Sequence, residues 1–275
     1  MKNIILLIIL LFTIISCTEV VDIPLNTENP KLVVEANMKW QKGTTGQEQI
    51  VKLTTTTNFY NNEIPTVSGA TVSVKNTDTN ENFTFNEIPN SGIYICINFI
   101  PILNNNYVLK VNYDGNEYQA TEKLIPVSEI SLVTQDATGG INGKEIRVRA
   151  NYLDPQATAD YYLFNYSFPN LTGIKPDFYV SDDIFYNGNT FFSTSFKDDL
   201  KIGDTIQMTH FGISQQYYNY LNILLTLSGS VNGGGPFTAP PVAVRGNLIN
   251  LQNENDYPYG YFSLSEADTK QYIIK

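Results

Sequence analysis

Residues 106–124 read NYVLKVNYDGNEYQATEKL, and this stretch decides the fold class of the chain. Every second side chain in its first half is apolar or aromatic, the pattern of a strand with one buried face: Tyr107, Leu109, Val111 and Tyr113. Asp114-Gly115 follows, and a two-residue turn needs the positive φ that glycine adopts without strain. Residues 116–124 return as a second strand, so the stretch predicts an antiparallel β-hairpin.

The same two-residue period continues on the N-terminal side of this hairpin. It predicts strands over residues 31–38, 49–55, 70–75 and 83–86, and the run at residues 92–99, which is apolar on both faces, predicts a central strand. Together with the hairpin these make roughly seven short strands separated by turn residues, which is typical of an Ig-like β-sandwich. We therefore predict such a sandwich over residues 31–126, with an up-and-down barrel as the alternative.

A second series of strands follows Pro126. Proline cannot donate a ladder hydrogen bond and pushes the preceding residue into extended geometry, so Ile125-Pro126-Val127 is the predicted domain boundary. Residues 127–275 are predicted to form a second β-rich domain, and the chain as a whole is all-β with two tandem sandwiches. The predicted strands cover residues 129–134, 144–152, 161–168, 177–185, 190–196, 204–211, 242–251 and 259–264.

Residues 214–228, SQQYYNYLNILLTLS, break the β pattern. Tyr217, Leu221, Leu224 and Leu225 recur at helical spacing, Ser214 can cap the start, and Gly229 can accept a left-handed end. We predict one amphipathic helix packed against the second sheet. A partner-binding helix and a membrane-surface helix are the alternatives, although no Lys or Arg borders the apolar stripe as the latter requires.

Composition and charge restrict the functional classes. The chain contains 18 Tyr and 15 Phe, which favours strands over helices. Its formal net charge of −10 repels phosphate backbones, so we expect no nucleic-acid binding. The same charge opposes docking on anionic lipid, so attachment to a membrane requires a covalent anchor.

The N-terminus carries the signal of such an anchor. Residues 1–17 read MKNIILLIILLFTIISC, where Lys2 precedes an apolar run too short to span a hydrocarbon layer of ~30 Å. The ending Ile14-Ile15-Ser16-Cys17 resembles the bacterial lipobox. We predict a lipoprotein signal peptide over residues 1–16, an acylated Cys17 and an acidic tether over residues 17–30, with an ordinary signal peptide as the alternative.

Residues suited to catalysis are few. The single histidine, His210, lies in a strand-like run, and no G-x-S-x-G places a serine nucleophile on a sharp turn. Cys96 lies among isoleucines and is interpreted as a small buried hydrophobe. Gly233-Gly234-Gly235 is followed by Pro236 and not by a Walker lysine, so we interpret it as a connector. We predict no catalytic residue, metal or cofactor.

Paired acidic residues leave two weaker alternatives open. The pairs are Asp182-Asp183, Asp198-Asp199, and Glu254 with Asp256. A glycosidase needs two carboxyls about 5–10 Å apart across a groove, which a sequence does not show. Calcium takes six to eight oxygens, but no D-x-[DN]-x-[DN]-G loop occurs.

A group of aromatic residues forms the candidate binding surface. They surround the turn Asn187-Gly188-Asn189 and are Tyr179, Phe185, Tyr186, Phe191 and Phe192. Exposed aromatic faces stack on sugars and bury well at protein interfaces. The alternative, packing in a sandwich core, is the more common role of strand aromatics.

Several segments, taken in order, carry a family resemblance. They are the lipobox followed by Pro30-Lys31-Leu32-Val33-Val34-Glu35; residues 106–111 with Asp114-Gly115 and Tyr118; Asp154-Pro155 before residues 160–164; residues 203–206 before residues 217–221; and Pro236-Phe237, residues 245–248 and residues 260–262. With these the whole chain resembles a Bacteroidota envelope family described as a domain of unknown function and numbered 4249. One departure is at residues 104–106, where a glycine commonly precedes the tyrosine, which bears only on the turn type.

The resemblance implies an outer-membrane lipoprotein, often encoded beside TonB-dependent receptors, and it brings no catalytic residues with it. We therefore expect a non-enzymatic, lipid-anchored binding accessory of such a receptor, at the cell surface or the periplasmic face. A structural or adhesive surface protein is the second hypothesis, and a glycan-acting hydrolase is the third.

Overall fold

The computed structural model describes residues 29–58, 60–61, 63–139, 143, 145–197, 200–228 and 244–275. The predicted signal peptide, Cys17 and most of the tether lie outside these residues. The described chain is mostly β-strand with one helix, which confirms the predicted all-β class. No helix in the described part is long and apolar enough to cross a bilayer.

The first sandwich has the strand order of an immunoglobulin domain. One layer contains β1 (Leu32–Gln41), β2 (Gln49–Thr55), β5 (Ile93–Cys96) and β4 (Asn82–Ile88), hydrogen-bonded in that order. The other contains β3 (Thr71–Asn76), β6 (Asn106–Tyr113) and β7 (Asn116–Lys123). First, second, fifth and fourth strands therefore oppose third, sixth and seventh, as the Ig-like prediction requires. Strand β4 also pairs with β3 and so joins the two layers at one edge.

The hairpin that decides the fold forms as predicted. Asp114 and Gly115 both have positive φ, 48° and 74°, and Tyr113 pairs with Asn116 across the turn. Tyr107, Leu109 and Val111 are fully buried in the first core. The buried hydroxyl of Tyr107 donates to the Ile100 carbonyl and accepts from the Ile102 amide, so it is hydrogen-bonded away from water.

The second sandwich repeats this plan with one change. Strands β8 (Ile130–Gly139), β9 (Glu145–Leu153) and β12 (Thr190–Lys197) form one sheet. Strands β11 (Asp177–Asp182), β10 (Tyr161–Ser167), β13 (Thr205–Ile213) and β15 (Tyr259–Ile273) lie side by side in the other. The fourth strand of this unit, β11, has thus changed layers relative to its counterpart β4. The short β14 (Ile249–Asn250) pairs back onto β7 of the first sandwich.

The predicted helix is present as α1 (Gln215–Leu227). The Ser214 hydroxyl caps it by accepting from the Tyr217 amide, which satisfies one of the free N–H groups of the first turn. Tyr217, Leu221 and Leu225 form the buried stripe, which packs against the second sheet as predicted. Gly229, the predicted helix end, lies outside the described residues.

Strand β15 belongs to both sandwiches. Residues 259–267 run parallel to β1, and residues 267–273 run antiparallel to β13, so the strand changes partners at Ala267. Leu248, Phe262 and Leu264 are part of the first hydrophobic core although they follow the second sandwich in the chain. The division at Pro126 stays a prediction, and the strand predicted to end at residue 264 continues to Ile273.

The linker between the sandwiches is held against β15 by hydrogen bonds. The Ile125 amide donates to the Leu264 carbonyl at 3.3 Å, and the Glu266 amide donates to the Ile125 carbonyl at 2.8 Å. The buried carboxylates of Glu266 and Asp268 accept the amides of Val127 and Ile130 at 2.9 and 2.7 Å. Each of these four backbone amides has a hydrogen-bond acceptor, so the linker is held in place within the fold and is not a free hinge.

The linker packs closely against Gly212 of β13. A Cβ at Gly212 would lie 1.9 Å from the Pro126 carbonyl oxygen, a rigid backbone atom. Gly212→Ala is expected to lower the free energy of unfolding by about 3 kcal/mol in urea titration, since the linker must move away from β13.

Gly203→Ala is the control for this substitution. Gly203 has φ +96° and open space around its Cβ position, so alanine there meets only backbone strain of about 1 kcal/mol. Equal losses in the two variants would contradict the close packing of the linker.

Candidate functional site

A cleft of about 570 Å³ lies where the two sandwiches meet the linker. Asn104 and Lys123 border it from the first sandwich, and Asp160 and Tyr161 border it from the second. The start of α1 closes one side through Ser214. This is a site formed only by the junction, because no single sandwich contributes all of its walls.

Three carboxylates meet at the second sandwich's edge of this cleft. Asp154, Asp160 and Asp183 each offer an oxygen, and these atoms lie within 4.8 Å of one another. Asp154 and Asp183 are buried, while Asp160 is half-buried and lines the cleft. Burial, followed by the charges of its two neighbours, raises the pKa of Asp160 above the usual value.

Hydrogen bonds within the loops already use much of this acidic group. The Asp154 carboxylate accepts from the Tyr162 hydroxyl at 2.6 Å and from the Gly188 amide at 2.9 Å. Asp183 accepts the Asp160 amide at 2.9 Å. The three carboxylates could contribute oxygens to a hard cation such as Ca²⁺, which needs six to eight in all. The hydrogen bonds that these carboxylates accept also join the 154–160 and 183–189 loops, independently of any cation.

The acidic pairs singled out in the sequence have different fates. Asp183 belongs to the carboxylate group, whereas its neighbour Asp182 accepts a hydrogen bond from the Tyr218 hydroxyl of α1 at 3.0 Å. Glu254 and Asp256 are exposed. Asp198 and Asp199 lie outside the described residues. Asp154 and Asp160 were missed, because they stand apart in the chain and only the fold brings them together.

His210 is fully enclosed on β13. Its Nδ1 donates to the Ser128 carbonyl at 3.1 Å, and its ring stacks on Phe164 with centroids 4.1 Å apart. Tyr152 and Tyr162 pack on the same imidazole. Burial lowers the pKa of His210 to about 3, so the ring is neutral. Histidine here is an aromatic component of the second core.

Cys96 is buried in the first core, where its thiol donates to the Asn98 side-chain oxygen at 3.2 Å. Burial raises the pKa of this thiol, which disfavours the nucleophilic thiolate.

The aromatic residues of the candidate surface separate into two groups. Tyr186 is buried and stacks on Phe191 with centroids 3.8 Å apart, and Tyr179 packs against the same core. Phe185 is 96% exposed at the tip of the 183–189 loop, and Phe192 is 38% exposed on β12. Of the five, Phe185 and Phe192 are exposed, Tyr179 and Phe191 are half-buried, and Tyr186 is buried.

Phe192 belongs to a sheet face over which no other part of the described chain packs, and sequence reasoning missed this face. We call the outward side of β8, β9 and β12 the arginine face. Pairing places Leu132, Asn151 and Phe192 in one row, Thr134, Arg149 and Thr194 in the next, and Asp136, Arg147 and Phe196 in the third. The signal was present in the run Arg147-Val148-Arg149, where alternation puts both arginines on one face. Two of the chain's three arginines lie here.

Glu122 is a buried carboxylate at the junction, close to the cleft. Its carboxylate accepts from the Ser214 hydroxyl at 3.0 Å, from the Tyr261 hydroxyl at 3.3 Å and from the Lys123 amide at 3.2 Å. Glu122 thereby connects β7, the cap of α1 and β15. Burial outweighs these hydrogen bonds and raises the pKa of Glu122 from 4.5 to about 7.

Glu122→Gln is expected to stabilise the protein in a pH-dependent way. The folded state favours the protonated carboxyl, so the wild type bears a penalty above pH 7 that disappears as the pH falls towards 4.5. The difference in unfolding free energy between variant and wild type should therefore grow by about 2 kcal/mol from about pH 5.5 to about pH 8. Urea unfolding at both pH values measures it.

Glutamine suits this position because the Ser214 and Tyr261 hydroxyls can accept from its amide while its oxygen keeps the Lys123 bond. The exposed Glu48→Gln is the control and should show no such growth. A pH-independent difference at Glu122 would contradict the raised pKa.

No curated protein matches the chain. Among solved structures, a DUF4785 family protein from Legionella pneumophila shares 12% identity with a TM-score of 0.26, and the match covers 65% of this chain and 52% of that one. This chain thus spans about half the length of the Legionella protein. The chicken interferon gamma receptor alpha chain shares 11% identity with a TM-score of 0.20, covering 66% of this chain and 88% of that one.

Structural matches with such low identity and TM-score bear on neither the function nor the partners of this chain. A family model described as "Domain of unknown function (DUF4249)" matches residues 18–271. Because that match spans nearly the whole chain, the protein belongs to the DUF4249 family.

Proposed function

We propose that this protein is a lipid-anchored, non-enzymatic binding module of the outer membrane that serves a TonB-dependent receptor. The observation that carries the proposal is the continuity of β15 through both sandwiches. A module that binds a partner away from its anchor needs a stiff body, and a shared strand supports that stiffness.

The direction of β1 supports the placement of that body. Leu32 begins β1 at the end of the first sandwich remote from Ala267, where β15 passes into the second. An anchor at Cys17 would therefore join the body at the far end of the first sandwich, which favours a second sandwich distal to the membrane when the tether is not extended. The tether from Cys17 to Lys31 reaches at most about 50 Å when extended.

The position of the polar chemistry supports a binding role over catalysis. His210 is enclosed and neutral, and the thiol of Cys96 is buried. The three clustered aspartates hold loop amides and a tyrosine hydroxyl. By contrast, apolar and cationic side chains face solvent on the second sandwich, which suits contact with another macromolecule. The receptor as partner is what the family resemblance implies.

Removing the acyl acceptor tests the anchor. Cys17→Ser is expected to move the protein from the membrane to the soluble fraction, because two or three acyl chains supply about 0.8 kcal/mol per buried methylene. Fractionation with immunoblotting measures this, and Cys96→Ser is the matched control that should stay in the membrane. Retention of Cys17→Ser in the membrane, or an unmodified thiol in the mature N-terminal peptide, would overturn the anchor.

Co-purification tests the receptor. The wild-type chain, tagged after Lys275 and extracted from native membranes in mild detergent, should carry an outer-membrane β-barrel receptor into the eluate, detected by mass spectrometry. The tagged Cys17→Ser protein from the soluble fraction should lack it. An eluate of wild-type protein without a β-barrel partner would overturn the receptor role and favour the structural or adhesive alternative.

A further inference from the structure

No described element covers the arginine face, and its content is unusual for an acidic protein. Phe192 and Phe196 lie on the same side of β12, and Leu132 and Leu153 complete the apolar part at 59% exposure each. No described element packs over these side chains. In an antiparallel sheet with one solvated face, the residues on that face are mainly polar and alternate with buried apolar residues. The exposed Phe and Leu side chains of the arginine face depart from this pattern.

Arg149 occupies the centre of this face. Its guanidinium carbon lies over the Phe192 ring, 4.4 Å from the ring centroid, in a cation–π contact. Its Nε lies buried with no hydrogen-bond partner in the described part of the chain. No ion pair among the described residues includes Arg149, although the chain has 27 Asp and Glu against 17 Lys and Arg.

The neighbouring arginine behaves differently. Arg147 forms an ion pair with Asp136 across β8 and β9. This pair neutralises Arg147, and Glu145 lies on the same side of β9, but Arg149 itself has no ion-pair partner among the described residues. A half-buried cation that packs on Phe192 is suited to a carboxylate supplied from outside, since Arg binds carboxylates in a planar, two-point geometry.

We propose that the arginine face docks an acidic segment of a protein partner, with a partner carboxylate on Arg149 and partner apolar side chains on Phe192, Phe196 and Leu132. Charge complementarity selects this occupant. Aromatic residues and arginine are the residue types enriched at the centres of protein interfaces. A second copy meeting the same face about a two-fold axis would bring Arg149 against Arg149.

This inference deepens the proposed function, because it names the surface and the partner chemistry by which the module would bind. Its experiment uses the full chain in native membranes. A photo-crosslinking p-benzoylphenylalanine replaces Leu153 at the rim of the face, and the same probe at Ile50 on the first sandwich serves as the positional control. Mass spectrometry identifies the crosslinked peptide.

We expect the probe at Leu153 to crosslink a protein peptide containing Asp or Glu, and the probe at Ile50 not to crosslink it. Arg149→Glu in the same chain should reduce the yield at least about tenfold, because it places like charges at the contact. Lys75→Glu reverses the charge of an exposed side chain on β3 and should leave the yield unchanged. Converting the crosslinked peptide's carboxylate to Lys should restore the yield with Arg149→Glu.

Arg149→Gln, which removes the charge without reversing it, repeats the test if Arg149→Glu lowers the melting temperature. The proposal is overturned by a crosslink to a second copy of this chain, by a crosslink to lipid or glycan, by a peptide without acidic residues, or by no crosslink at all. If the crosslinking test fails but a receptor is still present in the co-purified eluate, the proposed role of the arginine face is wrong and the proposed receptor role stands. If the probe at Leu153 crosslinks an acidic protein that is not a receptor, the receptor role is wrong and the role of the arginine face stands.

Discussion

One strand takes part in two hydrophobic cores, and the rest of the structure depends on this constraint. The first half of β15 extends the sheet of the first sandwich beside β1, and the second half completes the sheet of the other beside β13. Each half of β15 is held by a ladder to one strand, and the linker bridges to it at Ser265 beside the point where the partner changes. The two sandwiches therefore cannot rotate independently without breaking ladder hydrogen bonds on one side of Ala267.

The change of partner at Ala267 also explains the buried acids at the junction. The linker passes beside β15 where no regular ladder continues, and its amides would be left without acceptors. An unpaired buried amide costs about 1–3 kcal/mol, so Glu266 and Asp268 supply the acceptors as side chains. Lys42 forms an ion pair with Glu266 at 2.9 Å and offsets the cost of burying that charge. The polar junction is consequently a rigid element of the fold.

The two places with functional character relate differently to this junction. The cleft exists because the sandwiches are held together, whereas the three aspartates at its edge are joined within the second sandwich, where Asp154 and Asp183 accept from loop amides and a tyrosine hydroxyl. The arginine face belongs to the second sandwich alone and lies on the sheet that does not contain β15. It is free to contact a partner without disturbing the junction, and β15 supports the body that presents it.

The sequence by itself determined the fold class, the seven strands of the first sandwich, the Asp114-Gly115 turn and the capped helix, because each depends on local periodicity or on backbone φ. The extension of β15 past residue 264 could not be seen this way. Ser265, Glu266 and Asp268 are buried polar residues, and the amides that donate to the Glu266 and Asp268 carboxylates come from a linker far away in the chain. For the same reason the sequence named the aromatic residues near Asn187 but could not separate buried Tyr186 from exposed Phe185. Tertiary structure alone decided the aspartate group and the arginine face, because side chains distant in sequence become neighbours only through sheet register and loop packing.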